Sequence, residues 1–253
     1  MRRNENYGQL QQKLRELLAL EYSCAPEDFQ RDGNILTVSE LKEGRRCYSK
    51  ERYFFHMVTM GRGIVITADE ELHDLLNAFI RKEKGHWLFS VPVLAELNDD
   101  LAGYGYKLTQ THHMYLPYSS AEPKKDYAVR WYHDEEIHRF YGDERFPNAI
   151  CAEFIPERPD RIVVCAYDGD KIMGMAGCSE DAPHWQQIGI DVMPEYQSMG
   201  VGTYLVTLLK NRIEQQGDIP FYGTAMANLH SINIALNCGF RPAWTEIGAE
   251  KTE

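Results

Sequence analysis

Gln197, Gly200 and Gly202 form a Q-x-x-G-x-G array between a strand-like run, Ile188-Gly189-Ile190-Asp191-Val192, and an amphipathic stretch. Pro194 closes the run, and Val201, Leu205, Leu208, Leu209 and Ile213 then recur at helical spacing. Glycines at 200 and 202 let the backbone approach a bulky anion. The free N–H groups of a helix start point at such an anion, with the helix dipole behind them. The chemistry implied is a pyrophosphate cradle. No Lys-Ser or Lys-Thr follows these glycines, as a P-loop requires, and Leu205 stands where a dinucleotide fingerprint has its third Gly. Taken alone, two glycines are better explained as a plain strand–helix turn.

The flanking residues change that balance. Gly189-Ile190-Asp191-Val192-Met193-Pro194-Glu195-Tyr196-Gln197-Ser198-Met199-Gly200-Val201-Gly202 resembles the acyl-CoA-binding signature of the GNAT N-acetyltransferase superfamily. Downstream, Asn228-Leu229-His230-Ser231-Ile232-Asn233-Ile234-Ala235-Leu236-Asn237-Cys238-Gly239-Phe240 resembles the second block of that family, at the family's spacing. The resemblance runs from near Tyr127 to the C-terminus. It implies an acetyl-CoA co-substrate and no metal. It puts the pantetheine arm on the backbone of Ile190, Asp191 and Val192, where one N–H would polarise the acetyl carbonyl. Gln197, Ser198, Met199, Gly200, Val201, Gly202 and Thr203 would hold the pyrophosphate. Asn228, Ser231 and Asn233 would contact the cofactor, with helix capping as the competing role.

The reaction implied is attack of an amine on a thioester. An alkylamine with a pKa of about 10 must lose a proton, and the departing thiolate gains one. At both places the sequence departs from the family. The usual Glu base falls at Gln186, and the usual Tyr acid falls at Ala235. Strand alternation puts His184, Gln186, Ile188 and Ile190 on one face and Asp191 on the other. His184 and Tyr222 are the remaining candidates for base and acid. An exposed loop histidine and an ordinary strand tyrosine are their plainer readings. The alternative function is a non-catalytic acyl-CoA sensor or regulator.

The remaining histidines, His112-His113 and the pair His133 and His138, lack metal-ligand spacing. Six scattered cysteines, without a C-x-x-C pair, suggest reduced thiols and a cytoplasmic setting. The first residues, Met-Arg-Arg-Asn-Glu-Asn, do not read as a signal peptide, and no apolar run reaches the ~20 residues of a membrane span. A net charge of −11 argues against nucleic acid and anionic lipid as partners. It suits an amine acceptor, a small molecule or a peptide, and leaves a homodimer open.

These residues need elements to position them, and the patterning supplies an α/β fold with a mixed sheet. Residues 1–118 read as an N-terminal α/β domain, 119–126 as a polar linker and 127–253 as the GNAT-like domain. In the first, Leu10, Leu14, Leu17 and Leu18 share a helix face, and strands flank Gly61-Arg62-Gly63. Thr67-Ala68-Asp69-Glu70 fits a capping box ahead of an apolar stripe from Leu72 to Ile80, and Tyr106 to Leu116 is again strand-like. In the second, Asp134 to Tyr141 reads as a helix, Asp168-Gly169 as a hairpin turn and Ile219 to Ala225 as a strand. Leu101 to Tyr106 resembles Leu236 to Phe240, so the first half is either a degenerate GNAT-like copy or an unrelated domain whose helix also ends at Gly.

Overall fold

The computed structural model describes residues 6–252. The leader reading of the first five residues lies outside them. The described chain forms two compact units, one of residues 115–242 and one of residues 6–114 with 243–252.

The unit containing the N-terminal part holds α1 (Tyr7–Glu21), β1 (Ile35–Val38), β2 (Phe55–Thr59), β3 (Ile64–Ala68), α2 (His73–Phe79), α3 (Val91–Ala102) and β4 (Tyr106–Leu108). β3 lies between β1, parallel to it, and β2, antiparallel to it. Alternation on β2 and β3 turns Phe55, Met57, Ile64 and Ile66 toward Leu72, Leu76, Phe79, Leu97 and Leu101, which form the apolar core of this unit. The expected capping box does not form. Thr67 and Ala68 are the last residues of β3, and Asp69 is the cap, its carboxylate accepting from the Glu71 N–H at 3.2 Å. The strand-like run from Tyr106 to Leu116 forms β4 and then β5 (His112–Pro117), with residues 109–111 between them.

The opposite face of this unit carries buried charge. Arg46 is wholly buried and donates to Glu21 at 2.7 and 3.0 Å and to Glu246 at 2.6 and 3.1 Å. The Tyr53 hydroxyl also donates to Glu21, and the Trp244 indole N–H to Glu246. His56 lies beside this group, its Nδ1 3.0 Å from the Tyr22 hydroxyl. Glu246 belongs to the last strand, β11 (Phe240–Lys251), which pairs antiparallel with β2 from Thr245–Thr59 to Gly248–His56 and then with β4.

The other unit holds β6 (Ala128–His133), β7 (Asp160–Asp168), β8 (Lys171–Ala182), β9 (Trp185–Val192), α4 (Val201–Gln216), β10 (Ile219–Ala225) and α5 (Leu229–Asn237). Its sheet runs β6-β7-β8-β9-β10, with the ends of β5 and the start of β11 beyond β10. Ile188, Val201, Leu205, Leu209, Ile213, Tyr222, Ala235 and Phe240 make the core under α4 and α5. The segment expected as a helix at 134–141 is a 3₁₀ helix, Asp134–Phe140, whose Ile137 and Phe140 join Phe146, Val163 and Met175 on the other face of the sheet.

The unit boundary falls at 114/115, a few residues before the polar stretch 119–126, and the chain crosses again after Pro242. The second crossing exists because β11 is long enough to supply Phe240 to one core and Ile247 to the other. The polar stretch itself is laid along α4. Lys210 Nζ donates to the Ser119 carbonyl at 3.0 Å, Asn211 Nδ2 to the Ala121 carbonyl at 3.1 Å, and the Tyr204 hydroxyl to the Tyr127 carbonyl at 3.2 Å. We refer to residues 118–127 as the strap.

Candidate active site

β9 and β10 run in parallel register only from Trp185–Ile219 to Ile188–Tyr222. Both continue, to Val192 and Ala225, without further register between them. β9 meanwhile keeps its antiparallel register with β8 as far as Val192–Gly174, and the Met193 N–H bonds to the Met173 carbonyl at 2.9 Å. The two parallel strands therefore part just beyond Ile188 and Tyr222. Ile190, Asp191 and Val192 lie on one edge of that parting, half-exposed. A row of N–H and C=O groups without a neighbouring strand is a template for an extended ligand.

The two faces of β9 differ. Ile188, Ile190 and Val192 turn toward the α4 side, where Ile188 is buried and the other two pack against the same core. Gly189 and Asp191 turn the other way, as alternation requires. Asp191 accepts from the Asn148 N–H at 2.8 Å, the Asn148 side-chain amide at 2.6 Å and the Ala149 N–H at 2.8 Å. Gly189 makes this seat possible, because a Cβ there would lie 1.8 Å from the Asn148 carbonyl oxygen. The Asp191 carboxylate is thus engaged with the loop at 148–149, while its backbone stays on the parting edge.

At the end of β9 the chain makes a 3₁₀ turn, Pro194–Tyr196, and reaches α4 through Gln197, Ser198 and Met199, all exposed. Ser198 has φ +62° and Gly200 φ +89°, a left-handed conformation at the N-cap of α4 that favours glycine. No side chain caps this helix. The Gly200 carbonyl accepts from Tyr204, so the N–H groups of Val201, Gly202 and Thr203 have no acceptor earlier in the helix. Gly202 is buried. A Cβ on it would come within 2.9 Å of Ile234 Cδ1, 3.4 Å of Val192 Cγ2 and 3.7 Å of Ile190 Cγ1. Any larger residue at 202 would push into the edge where β9 leaves β10. The left-handed turn at 200 and the uncapped start of α4 fit an approaching diphosphate.

The remaining expected site residues separate into those near the parting and those away from it. Tyr222, the last residue of β10 in register with β9, is buried, and its hydroxyl lies 2.8 Å from Ser231 Oγ. Burial pushes its phenol up to about 12, so Tyr222 holds its proton at neutral pH. Asn228 is the N-cap of α5, its side chain accepting from the Ser231 N–H at 3.1 Å. Asn233 is exposed on α5. Ala235, where the resemblance would place a tyrosine, is fully buried in the same core as Tyr222. His184 stands at the other end of β9, in the turn from β8, with φ +67° and an exposed imidazole 2.9 Å from Asp218. It lies before Trp185, whereas the parting begins after Ile188, so at ~3.3 Å per residue it is more than 10 Å from that point. Gln186 is buried, its amide donating to Asp218 at 2.7 Å and its carbonyl accepting from Cys178 at 2.9 Å.

Four residues distant in sequence meet this loop or the β9 edge. Tyr127 donates its hydroxyl to the Met199 carbonyl at 2.9 Å. The Lys125 side chain runs past Gly200, its Cε 3.7 Å from where a Cβ would sit. Asn148 and Ala149 carry the Asp191 seat. No local pattern marks them, since each acts through a contact spanning more than 40 residues. Among the described residues no group of three or more His, Cys, Asp or Glu side chains is arranged to hold a metal ion, and no helix is long and apolar enough to cross a membrane.

The family model described as Acetyltransferase (GNAT) family matches residues 120–240. Among solved structures, a GNAT-family acetyltransferase from Colwellia psychrerythraea is 11% identical, with 99% of this chain and 98% of that one covered and a TM-score of 0.46. A putative GNAT-family acetyltransferase from Novosphingobium aromaticivorans is 13% identical over 59% of this chain and 69% of its own, with a TM-score of 0.47. A putative acetyltransferase from Salmonella typhimurium, described with its cofactor acetyl-CoA, is 16% identical over 38% of this chain and 65% of its own, with a TM-score of 0.30. No curated protein matches the chain.

Proposed function

We propose, from the match of residues 120–240 to the GNAT acetyltransferase family model, that the protein is an acetyl-CoA-dependent N-acetyltransferase. It moves the acetyl group directly to a primary amine of a small molecule or peptide. The observation that carries this reading is the loss of register between β9 and β10 beside the uncapped start of α4. A pantetheine arm would lie along Ile190–Val192, and the amides from Met199 to Thr203 would hold the diphosphate. Bound there, acetyl-CoA supplies the activated acyl group.

The residues of the chain supply the rest. A backbone N–H on the β9 edge is available to the acetyl carbonyl as charge develops on its oxygen. Tyr222 is a protonated phenol where the strands part, held by Ser231, and is able to give a proton to the departing sulfur. Gln186 is a neutral amide that cannot take up the amine proton, and it is committed to Asp218 and Cys178. The amine proton then goes to solvent or to a group brought by the acceptor.

Calorimetry with CoA, followed by free-thiol release over a panel of amines, tests the reading. Gly202→Asp, whose side chain would be driven into Ile234, Val192 and Ile190 at the edge where β9 leaves β10, should weaken CoA binding well over tenfold and lower the melting transition. Full CoA affinity in that variant would remove the cradle from the argument. A second reading, a non-catalytic acyl-CoA sensor, draws support from the amide at Gln186 and the alanine at Ala235. Tight CoA binding without turnover on any amine would favour it.

A further inference from the structure

We infer that Lys125, carried on the strap, is a ligand for the diphosphate of the bound nucleotide and completes the cradle with a positive charge. This rests on the acetyl-CoA reading above. The strap fixes where Lys125 stands. Ahead of it, the Ser119 and Ala121 carbonyls are held by Lys210 and Asn211, and the Ser119 N–H bonds to the Gly239 carbonyl at 3.0 Å. Lys210 is itself wholly buried, so this end is anchored in the core. Behind it, Tyr127 is held at both ends, its carbonyl by Tyr204 and its hydroxyl on Met199 of the cradle. Between these anchors the Lys125 stem packs over Gly200, with Cε at 3.7 Å and Cγ at 3.8 Å from a Cβ built there. A bulkier residue at 200 would meet that stem.

The distribution of charge favours the same assignment. The cradle supplies backbone N–H groups and partial helix charge but no side-chain cation of its own. Glu195 precedes it, and the segment Pro194–Thr203 contains neither Lys nor Arg. The chain is strongly acidic, at −11. A diphosphate approaching such a surface needs a fixed positive charge. Among the described residues the Lys125 ammonium has no carboxylate within ion-pair distance, whereas Lys210 is paired with Glu214 at 3.5 Å. Lys125 is therefore free to bind an anion. Because it sits on the strap, phosphate binding would also tie the strap to the cradle loop.

The test compares the full-length wild-type chain with Lys125→Ala by calorimetry against CoA, 3′-dephospho-CoA and pantetheine, at two salt concentrations. Lys125→Ala should weaken CoA and dephospho-CoA alike by about fivefold to tenfold at low salt, a charge-assisted contact at a partly exposed site. The loss should shrink at high salt. Pantetheine, which lacks the diphosphate, should bind both proteins equally, and Lys125→Arg should restore most of the affinity. Equal CoA affinity in wild type and Lys125→Ala overturns the inference, as does a loss that extends to pantetheine, which would mark a structural role for the stem. Loss for CoA but not dephospho-CoA would transfer Lys125 to the 3′-phosphate and overturn the assignment to the diphosphate. Wild-type protein that binds no CoA at all would instead sink the acetyl-CoA reading on which the inference rests.

Discussion

Gly189→Ala should unseat the loop that holds Asp191. The added Cβ would lie 1.8 Å from the Asn148 carbonyl oxygen, whereas real Cβ contacts essentially never fall below 3.0 Å. The obstacle is backbone, so rotation of a side chain does not relieve it. Strand and loop must separate by more than 1 Å. The bonds from the Asn148 and Ala149 N–H groups to Asp191, now 2.8 Å each, would then stretch beyond hydrogen-bonding distance. Hydrogen bonds to a charged group are worth roughly 1.5–3 kcal/mol each. Discounted for the exposed side of this carboxylate, losing the pair costs about 3 kcal/mol in all. Asp191→Ala removes the same bonds from the other side. The double variant should therefore cost little more than either single one, with a coupling of about 3 kcal/mol in a double-mutant cycle. Urea denaturation gives the free energies, and hydrogen exchange at residues 148–150 should rise in all three variants. Costs that add to within ~0.5 kcal/mol, with exchange at 148–150 unchanged, would refute the idea that Gly189 and Asp191 act through one seat.

Arg46→Met should destabilise the N-terminal unit by about 3–5 kcal/mol, because it leaves Glu21 and Glu246 buried together without their cation. Chemical denaturation measures this, and adding Glu21→Gln and Glu246→Gln should recover much of the loss. Burial pushes the His56 imidazole down to about 4, below its unfolded value near 6.5. Below 6.5 the unfolded chain binds the proton first, so stability falls from pH 6.5 toward 4, by up to ~3 kcal/mol, and is flat with respect to this group at higher pH. His56→Gln should flatten that limb of the stability-versus-pH curve. Tyr222→Phe should lower kcat about a hundredfold with little change in KM if the phenol protonates the leaving sulfur, and a loss under tenfold would show that the thiolate departs unaided. A fragment of residues 115–242 should be soluble and bind CoA. One beginning at residue 126 loses the β5 partner of β10 and most of the strap, and should aggregate or unfold in light scattering and circular dichroism.

The elements around the candidate cradle were legible because their signals are local. The strand ending near Val192, the glycines at 200 and 202, the helical stripe through Ile213 and the strand at 219–225 all depend on neighbours a few residues away. Gly202 shows the limit of such signals. Its spacing suggested a ligand, and its contacts show that packing against Ile234 also requires it. What holds the strap carries no such local signal. A polar, aperiodic stretch with a proline resembles a linker, and only Lys210, Asn211 and Tyr204, some 80–90 residues on, reveal what holds it. Asn228 was open between ligand and cap, and in the fold its side chain is the cap of α5. Ser231 was open in the same way, and its hydroxyl meets Tyr222. The second crossing of β11 left no mark in composition, because a strand that serves two cores reads like any long strand.

That last strand also sets an order of events during synthesis. β2 finishes near residue 59, yet the strand that covers its edge begins its pairing at Thr245. Closing so long a loop is slow, since long-range pairing must meet its entropic cost before contacts reward it. At ~5–20 residues per second, the roughly 130 residues between the two parts of this unit take on the order of 10 s to be made. Through that interval the edge of β2 is open, and Arg46 has Glu21 but not Glu246. The unit that is first in the sequence is therefore the last to be completed. A nascent chain halted before residue 243 would present an unpaired strand beside a half-neutralised buried charge, a form suited to capture by a chaperone.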